Sequence, residues 1–132
     1  MICVFTRIIL FSRFLSHLNT VDFGHNKIMS VQDKAFRNQN RLVSLKLDSN
    51  KIGAVSNETF YGLREMQLLN LRNNELQTLP ANTFIHAKKL QTLNLAKNRI
   101  TKVDPKAFTG LKVSFDWVEK YMPSHSRCIF PP

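Results

Sequence analysis

Apolar residues in this chain return at fixed intervals. In the stretch from Met66 to Leu79 they fall at Met66, Leu69, Leu71, Leu76 and Leu79, with Asn74 between them. Moved back by 24 residues, the same template lands on Leu42, Leu45, Leu47, Ile52 and Val55, with Asn50. Moved forward by 24, it lands on Leu90, Leu93, Leu95, Ile100 and Val103, with Asn98. Moved back by 48, it lands on Leu18, Val21, Phe23, Ile28 and Val31, with Asn26. A further column is aromatic in every copy: Phe36, Phe60, Phe84 and Phe108. A constant period of this length is the signature of a solenoid, in which each coil buries its apolar flank against the next.

Four repeats follow, at residues 18–41, 42–65, 66–89 and 90–113. Each opens with a short alternating segment such as Leu45-Lys46-Leu47, which predicts a strand with both leucines on one face and the lysine on the other. The remainder, such as residues 53–64, has no sustained helical period and predicts turns and short irregular pieces. Pro80 and Pro105 fall there, where a missing N–H breaks no ladder bond. Stacked coils place adjacent strands about 4.7–4.9 Å apart in a parallel ladder, so the leucine columns form a narrow core. Burying one such leucine contributes roughly 1.5–3 kcal/mol.

The asparagine column calls for a separate cause. A sharp turn after each strand leaves backbone groups without ladder partners. An amide side chain offers both an acceptor and donors, so Asn26, Asn50, Asn74 and Asn98 are expected to form a structural ladder between coils.

Residues 1–17 allow three readings. Arg7 and Arg13, with their polar neighbours, cut the apolar residues into runs of five, four and two, short for a secretory signal. Val4, Ile8, Phe11, Leu15 and Leu18 share one helical face, as an amphipathic end-cap would. Val4 and Leu15 also fit the apolar columns of an upstream repeat, whereas Arg7 and Ser12 do not. The end-cap and the degenerate repeat together are the favoured reading. Past Gly110 the register fails, and residues 113–118 read as a degenerate closing strand before a tail at 123–132.

The motif Leu42-x-x-Leu45-x-Leu47-x-x-Asn50-x-Ile52-x-x-Val55-x-x-x-x-Phe60-x-x-Leu63 resembles the 24-residue "typical" leucine-rich repeat of animal extracellular proteins such as Slit, Toll-like receptors and tartan- and capricious-like adhesion receptors. The resemblance covers about residues 18–113. It implies an α/β leucine-rich repeat solenoid: a right-handed coil with a short parallel sheet on the concave face and a mostly irregular convex side. It further implies recognition of a protein ligand or co-receptor through that concave face, at the cell surface or outside the cell. Such receptors usually carry cysteine-rich caps and a membrane anchor. The two cysteines, Cys3 and Cys128, lie outside the repeats, and the sequence has no transmembrane segment. The chain therefore reads as a piece or short form of such a receptor, the alternative being a structural remnant without independent activity.

The outward positions between core columns define the candidate binding face. Asp22, Lys46, Asp48, Leu68, Asn70, Arg72, Asn94 and Lys97 are the residues of interest. Column neighbours 24 apart should pair, which sets Asp22 beside Lys46 and Asp48 beside Arg72. Leu68 is an apolar side chain at an outward position, and with Arg72 it is the preferred anchor pair. Lys51, Glu75 and Arg99 share an edge column in which Glu75 would separate two cations.

Charge adds a second candidate partner. The net charge is +10, and cations gather late in the repeats at Lys88, Lys89, Lys97, Arg99, Lys102, Lys106 and Lys112. That balance fits a sulfated glycan, with Lys97, Arg99 and Lys102 as the candidate patch. Nucleic acid is set aside, because the repeat aromatics are core phenylalanines and offer no stacking platform. Asn57-Glu58-Thr59 is a glycosylation sequon at Asn57. The four histidines show no metal spacing, no nucleophile sits beside a base, and no phosphate-cradling loop appears. The expectation is a binding protein with no catalytic residues, no metal and no cofactor.

Overall fold

The computed structural model describes residues 7–8 and 15–112. Eight short strands appear in chain order: β1 Arg7–Ile8, β2 Thr20–Asp22, β3 Ser30–Val31, β4 Ser44–Lys46, β5 Leu68–Asn70, β6 Thr78–Leu79, β7 Thr92–Asn94 and β8 Lys102–Val103. The main sheet has the order β2-β4-β5-β7 and is parallel throughout. Its register sets Val21, Leu45, Leu69 and Leu93 side by side. Parallel neighbours need a long crossover, and the rest of each repeat supplies it as turns. The architecture is the α/β leucine-rich repeat solenoid, with turns standing in for helices among the described residues.

The strands begin one residue earlier than the leucine alternation predicts, at Ser44 and not Leu45. The buried set is unaffected, since Leu45 and Leu47 both remain fully inside the coil. Two smaller ladders were not expected. β6 pairs with β8, and β1 pairs with β3, all parallel. They lie one turn beyond the asparagine, where Val31, Val55 and Leu79 point into the core. Strands of two residues are too short to show a period. At the N-terminal end β1 aligns Ile8 with Val31, an offset of 23, one less than between the repeats. That register brings Ile8, and not Arg7, to the apolar column. The expected helical face runs through Ile8, which lies in a strand, while the closing strand at 113–118 lies outside the described residues.

The core is one continuous cluster running through all four repeats. Its far side is a file of aromatic rings. Phe60 and Phe84 stack at 5.8 Å between centroids and 15° between planes, and Phe84 and Phe108 at 5.7 Å and 14°. Each coil repeats the same ring at the same place, so offset stacking follows from translation alone. Gly62 is forced at its position. Its φ is +96°, and a Cβ there would come within 2.7 Å of both the Arg37 Cα and the Phe36 carbonyl oxygen.

Candidate protein-binding face

The turn that ends each strand fixes the face. His25, Ser49, Asn73 and Lys97 occupy the same column, and all have φ between 55° and 57°. This left-handed residue reverses the chain, and its N–H is bonded across to the next coil. His25 donates to Asp48 O, Ser49 to Arg72 O and Asn73 to Ala96 O, each at 2.9 Å. The asparagine that follows turns inward.

Asn74 shows what the inward amide does. Its Oδ1 accepts the Ile52 N–H at 3.0 Å, and its Nδ2 donates to Leu47 O at 2.9 Å and to Leu71 O at 3.1 Å. Asn98 repeats the pattern on Leu76 N, Leu71 O and Leu95 O, and Asn50 on Ile28 N, Phe23 O and Leu47 O. Each shared carbonyl takes donors from two successive asparagines. Among the described residues Asn26, in the first repeat, bonds within its own turn, to Phe23 O and Gly24 O. These side chains face the core and not the sheet surface.

On the outward side, three of the eight candidate residues are held by local bonds. Asp22 Oδ1 accepts the Gly24 N–H, Asn70 Oδ1 the Arg72 N–H, and Asn94 Oδ1 the Ala96 N–H, at 2.8 to 3.1 Å. These are Asx turns, in which a side-chain oxygen takes the N–H two residues on. Lys46 has no such oxygen and instead reaches Asp22 at 3.7 Å.

The expected Asp48–Arg72 pair does not form. Asp48 sits 3.6 Å from His25 Nε2 and accepts from Asn70 Nδ2 at 3.1 Å. The amide of Asn70 is already fixed beside it by its own turn, so Asp48 leans to the fixed donor and leaves the longer side chain of Arg72 in solvent. Arg72 is exposed and Leu68 half-buried, with Ser44 and Thr92 on either side of Leu68 in the register. Lys97 is exposed in the turn after β7. Glu75 pairs with neither Lys51 nor Arg99 among the described residues.

Ion pairs that the column arithmetic holds but the reading passed over lie elsewhere. Lys89 reaches both oxygens of Glu65 at 2.6 and 2.7 Å, and Lys34 reaches Glu58 at 3.3 Å. Both pairs are one period apart in sequence, so the same 24-residue shift would have found them. Asn57 is exposed on a turn of the convex side, and Thr59 of its sequon is buried, with Oγ1 accepting the Ser56 N–H at 2.8 Å. Among the described residues no group of three His, Cys, Asp or Glu side chains could hold a metal, and no helix is long and apolar enough to cross a membrane.

Comparison with known proteins fits this geometry. The family model described as leucine rich repeat matches residues 16–76, 40–100 and 67–114. No curated protein sequence matches. Among solved structures, that of TLR13 in complex with the RNA ssRNA13 is 31% identical, with a TM-score of 0.71. It is matched over 74% of this chain and 14% of its own length. The Drosophila Toll–Spatzle complex shows the same fold at 24% identity and a TM-score of 0.69, over 73% of this chain and 13% of that one. The APL1 leucine-rich repeat domain does so at 21% and 0.69, over 77% of this chain and 28% of that one. The present chain thus spans a small part of each. The argument from core phenylalanines against nucleic acid finds no support here, since the TLR13 structure is a complex with RNA. With its repeats matched from residue 16 to residue 114, the chain belongs to the leucine rich repeat family and is a non-enzymatic binding module similar to part of a Toll-like receptor.

Proposed function

We propose that this chain is a protein-recognition segment of an extracellular or cell-surface receptor or adhesion protein, and that it engages a protein ligand or co-receptor through the face of the main sheet. One observation carries the reading. On a face where Asp22, Asn70 and Asn94 spend an oxygen on their own turns, Leu68 and Arg72 stand on either side of Asn70 along one coil, and Arg72 has no carboxylate partner among the described residues. Arginine is enriched among interface anchors, and a half-buried apolar side chain on the same coil adds area that a partner can cover. The Asp48–Asn70 bond stiffens the floor beneath Arg72, which lowers the ordering cost of binding. The similarity to Toll-like receptor structures supports a receptor context.

The test is a double substitution, Leu68→Ala with Arg72→Ala, against a partner recovered by pull-down with the unaltered chain. Neither side chain is fully buried, so the fold is retained. Loss of a true anchor pair weakens binding by roughly thirtyfold or more, the equivalent of a 2 kcal/mol hot spot. Unchanged affinity would remove this face from consideration.

A further inference from the structure

A second column of outward residues runs along the return segment of each coil, between the phenylalanine and the next strand. Arg64, Lys88 and Lys112 occupy it in three successive coils, and all are exposed. The neighbouring column holds Arg41, Glu65 and Lys89. Glu65 is gripped through both oxygens by Lys89. That contact neutralises Lys89 and leaves Arg64, Lys88 and Lys112 without a carboxylate partner among the described residues. Between the columns lies an open depression of about 450 Å³ lined by Arg64, Glu65, His86, Lys88 and Lys89. Its back is fixed by His86, whose ring meets Tyr61 edge-on at 4.8 Å and whose Nε2 is 3.9 Å from Glu58.

The geometry points to this flank as a binding site for a sulfated glycan. Paired strands lie about 4.7–4.9 Å apart and the phenylalanine rings on the far side of the coil repeat at 5.7–5.8 Å, both inside the Debye length of about 8 Å at physiological salt. Like charges held at that spacing repel, and the buried core keeps them there. A chain carrying regularly spaced anions relieves the repulsion along the whole file at once. Several weak ion pairs then act together, as isolated surface pairs do not.

The lining also separates polyanions. A nucleic acid held by phosphates alone would forgo the base stacking worth about 1–3 kcal/mol per base. Among the described residues no phenylalanine, tyrosine or tryptophan lines the depression, and the His86 ring is already engaged. A sulfated sugar asks for cations and hydrogen-bond donors only, which Arg64 and Lys88 supply. This site stands apart from the sheet face and does not depend on it. The basic trio Lys97, Arg99 and Lys102, the candidate patch of the sequence, lies on the other side of the strand and is left unaltered in the flank variants.

The experiment measures binding of the full chain to heparin, to heparin stripped of its sulfates, and to single-stranded polyuridylate, at one salt concentration. The flank variant is Arg64→Glu with Lys88→Glu. The control is Lys27→Glu with Lys51→Glu, two exposed cations outside both basic patches, which changes net charge equally. A neutral version, Arg64→Gln with Lys88→Gln, and circular dichroism of all three establish that folding is intact. The flank variant is expected to bind heparin roughly tenfold or more weakly, with the control within about threefold of the unaltered chain. Desulfated heparin and polyuridylate are expected to bind more weakly than heparin. Equal losses in the flank variant and the control would reduce the effect to net charge and overturn the site. So would full retention by the flank variants, or tighter flank-dependent binding of polyuridylate, which would make it a nucleic-acid surface.

Discussion

At the scale of single residues, Asn74 links two coils through one amide. Which of its bonds matters most follows from what remains when it is removed. Leu47 O keeps a donor from Asn50, and Leu71 O keeps one from Asn98. The Ile52 N–H keeps nothing, since Asn74 Oδ1 is its acceptor. Asn74→Leu therefore strands one buried donor and costs about 1–3 kcal/mol. Asn26 is half-buried where Asn74 is buried, so water can reach what its loss exposes and Asn26→Leu is expected to cost less. Urea midpoints at constant slope compare the two, and equal losses would refute the bridging role. The asparagines were readable in the sequence because turn chemistry restricts that column to one residue type. Gly62 was not, since its constraint comes from the Arg37 backbone one coil away and only two of the four coils carry glycine there. The outward residues were half legible. Spacing placed Asp22 beside Lys46, but it could not reveal that the Asn70 turn would draw Asp48 away from Arg72.

At the scale of elements, the phenylalanine file and the sheet are the two walls of the coil. Both were legible because every copy repeats the same residue class. The two-residue ladders were not, because their pairing is a consequence of stacking and has no period of its own. Within the file, position decides cost. Phe84 is fully buried between Phe60 and Phe108, whereas Phe108 is half-buried. Phe84→Ala removes both stacked contacts and opens a cavity that neither neighbour can fill without leaving its own coil. A loss of about 3–5 kcal/mol is expected, a large share of the stability of a small domain. Phe108→Ala should cost less, because water already reaches that ring. Thermal unfolding of the two variants checks the order, and a Phe108 variant as damaged as the Phe84 variant would show that the file is not held by its centre.

At the scale of the whole molecule, the chain is close to one-dimensional. Each coil touches only the coil before and the coil after, so stability is a sum of coils and of the interfaces between them. That additivity made the fold legible, and it also hid the partner. Packing dictates the inward columns, while the outward ones answer only to whatever binds there. The same additivity separates a working binding face from a structural remnant. Among the described residues β4 and β5 each have main-sheet neighbours on both sides, whereas β2 has only β4. Amides of the central coils are therefore expected to exchange with solvent most slowly, and those of the first coil faster, in a graded profile along the chain. Leu68 and Arg72 lie in and just after β5, on one of the two coils flanked on both sides. A hydrogen-exchange profile that rises toward residues 67–73 would mean that the anchor pair is presented on the stiffest part of the solenoid, where little ordering remains to be paid on binding. Free exchange at every position would mean that no coil holds its neighbour, and a surface assembled from four neighbouring coils could not then persist long enough to recognise anything.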